Sequence, residues 1–435
     1  MSNFIINGGK KLTGEITTNT AKNPALSCMY ACLLTDEEST LTDVPRIEEV
    51  ARTIEVLESI GVQTEWIEEH TLKITPAKKL TLKNINKEAA AQTRVALFLI
   101  GTLAQRYKHF QIPQSGGCKL GSRTVFPHFH ALKNFGVTID TKSDHYEIRQ
   151  TGEFAGKEVI MYEQGDSATE NVIFAAVLAK GTTIIKFASS NYMVQDLCYL
   201  LESMGAKIQG IGTSTLTITG VLHLKGANNY PLMPDPIESM LLISLAATTG
   251  SSITIKGCPK DFIALELAKL EVMNFKYSIQ KEYKSKNEKF DLWDIQTFES
   301  ELQAIKSPDK IEAHPYPGIN MDNLPFFVPI ATQASGQTLI HDWPYENRAI
   351  YYMEFQKLGA EIVLADPHRV YITGKTPLKG AEIICPPALR PATIFLVGML
   401  AAQGQSILRN TYPIDRGYEN LYNRLKLLGA DIETF

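Results

Sequence analysis

The chain has 435 residues, 44% of them hydrophobic and 21% charged, which is too long for one ordinary core and points to two globular domains. A formal net charge of −4 with no basic run excludes a broad nucleic-acid or anionic-membrane surface, so any anionic ligand must meet a local cluster of Arg and Lys. No apolar stretch reaches the roughly 18 residues of a membrane span, and the opening MSNFIINGGKKLTGEI lacks the pattern of a signal peptide, so a cytoplasmic protein is expected.

In chain order, the apolar run ALSCMYACLL behind Pro24 reads as a buried helix, with Cys28 and Cys32 as small core residues. An amphipathic helix then ends in LESIGVQT at residue 57, where Gly stops the helix and a strand follows. The same ending recurs as LKNFGVTI at 132 and LESMGAKI at 201. It returns as LEVMNFKY at 270, FQKLGAEI at 355 and LKLLGADI at 425. Asn274 replaces Gly in the fourth copy, and Asn is the next best residue for a left-handed helix end.

Between these endings lie helices that are apolar nearly all round, NVIFAAVLAKG, SMLLISLAATTG, PFFVPIATQASG and ATIFLVGMLAAQG, and such helices belong in an interior. Ser167 with Glu170 and Asp235 with Glu238 read as capping boxes, while Pro236, Pro325 and Pro391 suit first helical turns. Short strands GTTIIKF, GSSITIK, GQTLIHD and GQSILRN follow their terminal glycines. The chain is therefore six mixed α and β units of about 70 residues, each with one inner and one outer helix.

Six cysteines without a C-x-x-C or a secretory signal read as reduced thiols. His128 and His130 alternate as ligands on a strand would, but no Cys, Asp or Glu stands beside them at metal-ligand spacing, so no metal is expected.

At or just before the first turns of the inner helices stand Lys22 and Asn23, Arg94, Ser167, Asp235, Asp322 and Arg390. A helix N-terminus attracts anions, so Ser167 and Asp235 fit ordinary capping, whereas the cations Lys22, Arg94 and Arg390 oppose the helix dipole. A bound phosphate or carboxylate would account for all three.

The ordered segments AKN at 21, GGCKLGSR at 116, MDN at 321, YENR at 345, LRP at 389 and IDRGYE at 414 span the chain. In that order and spacing they resemble the UDP-N-acetylglucosamine 1-carboxyvinyltransferase (MurA) family of enolpyruvyl transferases. The P-G-S-K-S start motif of the related family that makes 5-enolpyruvylshikimate 3-phosphate is absent.

The resemblance implies an α/β fold, a two-domain inverse α/β barrel of six repeated units, three per domain, with the active site in the interdomain cleft. One domain would span 22–232 and carry the Cys118 loop; the other would join 1–21 to 233–435.

The resemblance also implies the roles of the site residues. Lys22, Asn23, Arg123, Arg390 and Arg416 would hold phosphoenolpyruvate, several cations neutralising one small trianion. Asp322 would be the general base toward the acceptor hydroxyl. Cys118, between glycines and beside Lys119 and Arg123, would protonate the substrate methylene and be the thiol that fosfomycin alkylates. Asn23, Arg94, Arg123, Thr124, Val125, Phe126, Pro127, Asp166, Ser167, Asp322, Pro344 and Arg348 would meet the acceptor.

Phosphoenolpyruvate and a nucleotide or nucleotide-sugar acceptor are thus the expected partners of a monomer or weak homo-oligomer. The expected reaction moves the carboxyvinyl group to the 3-hydroxyl of UDP-N-acetylglucosamine, the first committed step of peptidoglycan synthesis.

Three segments depart from the family pattern. The family's R-P-V-D-L-H is Arg123-Thr124-Val125-Phe126-Pro127-His128 here, which exchanges the carboxylate placed at uracil for Phe126. Its K-V-S-V-G-A-T is Glu163-Gln164-Gly165-Asp166-Ser167-Ala168-Thr169, and its D-L-R is Ala388-Leu389-Arg390. These changes keep two alternatives open, the same chemistry on another acceptor in secondary metabolism, or a non-catalytic paralogue.

Overall fold

The computed structural model describes residues 3–114, 116 and 124–435. These fold into two compact units, one of 20–114, 116 and 124–233, the other joining 3–19 to 234–435.

All six helix ends read from the repeat are left-handed, with φ of 99° at Gly61, 74° at Gly136, 103° at Gly205, 62° at Asn274, 88° at Gly359 and 94° at Gly429. A residue with φ near these values turns the chain off the helix axis, and only Gly or Asn does so at little cost. Each turn delivers the chain into a strand: Gln63–Glu68, Val137–Thr141, Lys207–Gln209, Lys276–Lys284, Glu361–Asp366 and Ile432–Thr434.

The inner helical segments are Lys22–Ala31, Phe98–Leu103, Asp166–Ala176, Pro236–Thr249, Phe327–Gln333 and Leu389–Ala401. Every residue of Pro236–Thr249 except the last is buried, and every residue of Leu389–Ala401 except the last, so their all-round apolarity is the signature of an interior position. Packing is close enough that Gly101 is required: a Cβ there would lie 2.3 Å from the Asn171 carbonyl oxygen and from its Oδ1. Asn171 ties Asp166–Ala176 to Phe98–Leu103 and the turn before it, accepting from the Gly101 N–H at 2.8 Å and donating to the Leu97 carbonyl at 2.9 Å.

Among the described residues, six sheets cover the inner helices, three in each unit. In the third, Thr182–Lys186 runs parallel to Glu158–Ile160 and antiparallel to Thr215–Thr219, with Lys207–Gln209 beyond it. The first strands of the chain complete later sheets. Phe4–Gly8 lies between Gly404–Arg409 and Ile432–Thr434, and Thr13–Thr17 forms the parallel edge beside Ser252–Pro259.

Three local expectations need correction. His128 and His130 lie on the helix Phe126–Leu132, not a strand, because Pro127 at the second position starts a helix there. Ser167 does not cap its helix; the cap is Gly165, with Asp166 first and Ser167 second, and Ser167 Oγ instead meets His128 Nε2 at 3.3 Å. Asp235 does cap, accepting from the Ile237 N–H at 2.8 Å, but Glu238 does not reach back to it. Glu238 takes the Asn19 N–H at 3.1 Å and the Arg424 guanidinium at 2.7 Å.

Candidate active site

In the unit built on 20–233, the first turns of the inner helices carry a connected polar network. Lys22 and Asn23 open their helix with no side-chain cap. Lys22 Nζ pairs with Glu49 Oε2 at 2.6 Å, both side chains mostly enclosed at 15% and 12% exposure. Asn23 Nδ2 donates to the Tyr192 hydroxyl at 3.2 Å. Asn191 caps the helix that Tyr192 begins, and its Nδ2 donates at 3.2 Å to Asp166 Oδ2, whose other oxygen accepts from Ser189 Oγ. The acid at the start of Asp166–Ala176 is therefore bound by two neighbours, and it brings a negative charge to the end of a helix that attracts anions.

Arg94 precedes the 3-10 turn Val95–Leu97, and its Nη2 donates to the Thr124 carbonyl at 2.6 Å. Thr124 Oγ1 accepts from the Phe126 N–H at 3.0 Å, so Arg94 and Phe126 are fixed to one short segment. Beneath it, His128 takes Asn171 Nδ2 at 3.1 Å on Nδ1 and faces Ser167 with Nε2. Burial and the nearby Arg94 charge hold the His128 pKa down to about 3, so the ring is neutral and serves as a hydrogen-bonding strut. Phe126 is 48% exposed, and Tyr162, 62% exposed, stands edge-on to it with centroids 5.0 Å apart. His130 completes this aromatic group, its ring 5.7 Å from Phe126 and 5.8 Å from Tyr162. Glu163 beside Tyr162 is exposed, Val125 caps the Phe126 helix, and Pro127 is buried.

In the other unit, Asp322 occupies a turn one residue before Asn323, the cap of the 3-10 turn Leu324–Phe326, and so does not itself cap. Its Oδ2 accepts from Arg390 Nη2 at 3.1 Å. Arg390, second residue of Leu389–Ala401 and 6% exposed, also donates to the Tyr418 hydroxyl. Burial raises the Tyr418 pKa, with the charge of Arg390 opposing, and Asp235, Glu238 and Asp322 push it further up. That influence joins the acids of two inner-helix starts to one tyrosine. Ala388, buried, is the uncapped start of the Arg390 helix, and half-buried Arg416 ends the short helix Tyr412–Asp415.

Arg348 precedes the short helix Ala349–Tyr352. It is fully buried, with Nε and Nη2 on the two oxygens of Asp342 at 2.6 and 2.7 Å, Tyr352 on the same acid, and the Tyr345 ring 4.2 Å away. The guanidinium is an internal strut; Pro344, four residues before it, is half-buried in a turn. Cys118 and Arg123, with Lys119, lie outside the described residues.

The residues that sequence reasoning missed are the partners. Glu49, Tyr192 and Asn191 hold the polar groups of the unit on 20–233, and Tyr418 holds Arg390 in the other unit. Tyr418 stands inside the IDRGYE segment, the one local signal that pointed to it. Among the described residues, no group of three or more His, Cys, Asp or Glu is arranged to hold a metal, and no helix is long and apolar enough to cross a membrane.

The chain matches the family model for EPSP synthase (3-phosphoshikimate 1-carboxyvinyltransferase) over residues 6–425. A UDP-N-acetylglucosamine 1-carboxyvinyltransferase of Borreliella burgdorferi is 35% identical over 435 residues, covering 100% of this chain and 99% of that protein. The protein of that name in Treponema denticola is also 35% identical, with the same coverage. Among solved structures, the enolpyruvyl transferase NikO from Streptomyces tendae superposes with a TM-score of 0.85 at 20% identity, over 100% of this chain and 99% of that one. An EPSP synthase from Acinetobacter baumannii gives 0.78 at 17% identity over 100% of both chains. These two likenesses establish the fold, the two-domain α/β architecture of enolpyruvyl transferases.

Proposed function

The chain belongs to the EPSP synthase (3-phosphoshikimate 1-carboxyvinyltransferase) family and is an enolpyruvyl transferase, and on that premise we propose that it moves the carboxyvinyl group of phosphoenolpyruvate to the 3-hydroxyl of UDP-N-acetylglucosamine. The observation that carries the reading is the Asp322 carboxylate held in place by Arg390, a base oriented beside a cation. Relatives of that name at 35% identity over the full chain support the acceptor.

In this reading Asp322 takes the proton of the acceptor hydroxyl as its oxygen attacks carbon 2 of phosphoenolpyruvate, and Cys118 adds a proton to carbon 3. The product is a tetrahedral phospho-ketal. Loss of phosphate from carbon 2 and of one proton from the new methyl group leaves the enol ether. Lys22, Asn23, Arg123, Arg390 and Arg416 bind the phosphate and carboxylate, their charge most effective where water is excluded. No step requires a cofactor. A cytoplasmic role in peptidoglycan synthesis and sensitivity to fosfomycin belong to the same proposal.

A second reading, the same chemistry on a different acceptor, is favoured by one feature. Asp166 places a carboxylate at the start of its helix, where a diphosphate would otherwise be attracted, and the Phe126 and Tyr162 rings stand exposed nearby in the same unit. Phosphate release from phosphoenolpyruvate with UDP-N-acetylglucosamine separates the two. Turnover with micromolar acceptor affinity supports the first; release only with another acceptor supports the second; no release with any hydroxyl acceptor overturns both.

A further inference from the structure

One buried carboxylate reaches the turn that carries Asp322. Glu266 stands in the first turn of the helix Ala264–Val272 and is 2% exposed. Its Oε1 accepts from the Asn320 N–H at 3.2 Å and from Asn323 Nδ2 at 2.9 Å. Asn320 Oδ1 in turn accepts from the Asp322 N–H at 2.8 Å, while the Asn320 carbonyl takes the N–H groups of Asn323 and Leu324 at 2.9 and 3.1 Å. Asp322 is thus bracketed by two asparagines that share one carboxyl oxygen on a separate helix.

A carboxyl group is an expensive choice for a buried helix position, where an apolar side chain would pack without desolvation cost. Burial pushes the Glu266 carboxyl above its ordinary pKa, and the hydrogen bonds from Asn323 and Asn320 oppose that push. What the group supplies in return is an anchor for a turn that has little regular structure of its own.

We propose that Glu266 is a positioning residue for Asp322: through Asn320 and Asn323 it sets where the Asp322 carboxylate stands relative to Arg390 and the acceptor hydroxyl. The proposal rests on the reading of Asp322 as the base. Near-ångström misplacement of a reacting group costs rate far more than binding.

Glu266→Asp withdraws the carboxyl by one methylene while keeping its chemistry, and Glu266→Gln keeps the accepting oxygen in place. With phosphoenolpyruvate and UDP-N-acetylglucosamine, Glu266→Asp should lower kcat for phosphate release about 10- to 100-fold, with KM for phosphoenolpyruvate changed less than about threefold. Glu266→Gln should stay within about threefold of the parent in both. In an Asp322→Asn background, Glu266→Asp should cost less than about threefold, since the group it positions is gone.

Unchanged kcat in Glu266→Asp, or an equal loss in both backgrounds, overturns the proposal. Normal turnover in Asp322→Asn alone, or none by the parent with this acceptor, instead overturns the reading beneath it. Amide hydrogen exchange then decides Glu266 by itself. Exchange at 322–324 should quicken at least about tenfold in Glu266→Asp, with 392–400 unchanged, and equal exchange in parent and variant overturns the anchor.

Discussion

Arg390 donates to Asp322 across 68 residues of sequence, Nη2 to Oδ2 at 3.1 Å, and places a fixed cation against the carboxylate that faces the chemistry in the proposed reaction. Replacing that carboxylate by an amide keeps the shape and removes the base. Asp322→Asn should lower kcat for phosphate release about 10²- to 10⁴-fold, the usual worth of a positioned general base. Steady-state phosphate assays check this, and a loss below about tenfold would assign the base elsewhere.

Lys22 has an observed ion pair with Glu49 and a proposed role at phosphoenolpyruvate, and the two can be separated. Its 2.6 Å pair with Glu49 is mostly enclosed, so Lys22→Ala takes the cation away from an enclosed carboxylate and should destabilise the fold by roughly 3 kcal/mol. The double variant Lys22→Ala/Glu49→Ala should recover most of that loss in thermal unfolding. Phosphate release should recover in neither, because the trianion still lacks its cation. Recovery of activity in the double variant would reduce Lys22 to a structural ion pair.

Asp196 sets a pH dependence whose sign follows from its surroundings. It is fully buried, and burial lifts its pKa from 3.8 to about 7 against the hydrogen bonds of Tyr230 and the Met233 N–H. A carboxyl that binds its proton more tightly folded than unfolded contributes stability below pH about 4 and loses it as pH rises through about 7. The stability of Asp196→Asn relative to the parent should therefore rise across that window and stay level above it. Denaturant unfolding at pH 4, 5, 6, 7 and 8 measures the trend; a difference independent of pH would mean that Asp196 is paired and charged throughout.

Thiol chemistry should be confined to one cysteine. Cys28, Cys32, Cys198, Cys258 and Cys385 are all buried, and burial pushes their thiols up, to about 12 for Cys32, Cys258 and Cys385. A thiol in that state forms little nucleophile at neutral pH. Fosfomycin should then leave a single adduct, on Cys118, by mass spectrometry of the folded protein. An adduct on any of the buried five, or none at all, contradicts the assignment.

The repeat was legible in the sequence because it is written in backbone chemistry: Gly61 and its four glycine counterparts, with Asn274, mark positions where a left-handed turn excludes most side chains. The charged first turns were legible for a related reason, since Lys22 and Arg390 oppose a helix dipole that local sequence already reveals. Partners were not legible. Glu49 is 27 residues from Lys22, Tyr418 is 28 from Arg390 and Glu266 is 57 from Asn323, separations that only the folded sheets and helices bridge. Ser167 misled because its capping-box pattern is local, whereas the helix start is decided by Ser189 and Asn191 holding Asp166 from beyond the next strand.

The route of the chain has a consequence for its synthesis. The strands of the three sheets in the unit on 20–233 all lie within that one stretch, so all of them have emerged before residues 234–435 are made. Phe4–Gly8 is made before that unit yet sits between Gly404–Arg409 and Ile432–Thr434, which are made after it. During translation this apolar strand, with Phe4 and Ile6 destined for the interior, has no partner until more than 390 later residues have been added. The unit on 20–233 can fold on the ribosome while the other waits for Gly404–Arg409 and Ile432–Thr434, and in that interval Phe4–Gly8 is the segment a holding chaperone would have most reason to cover.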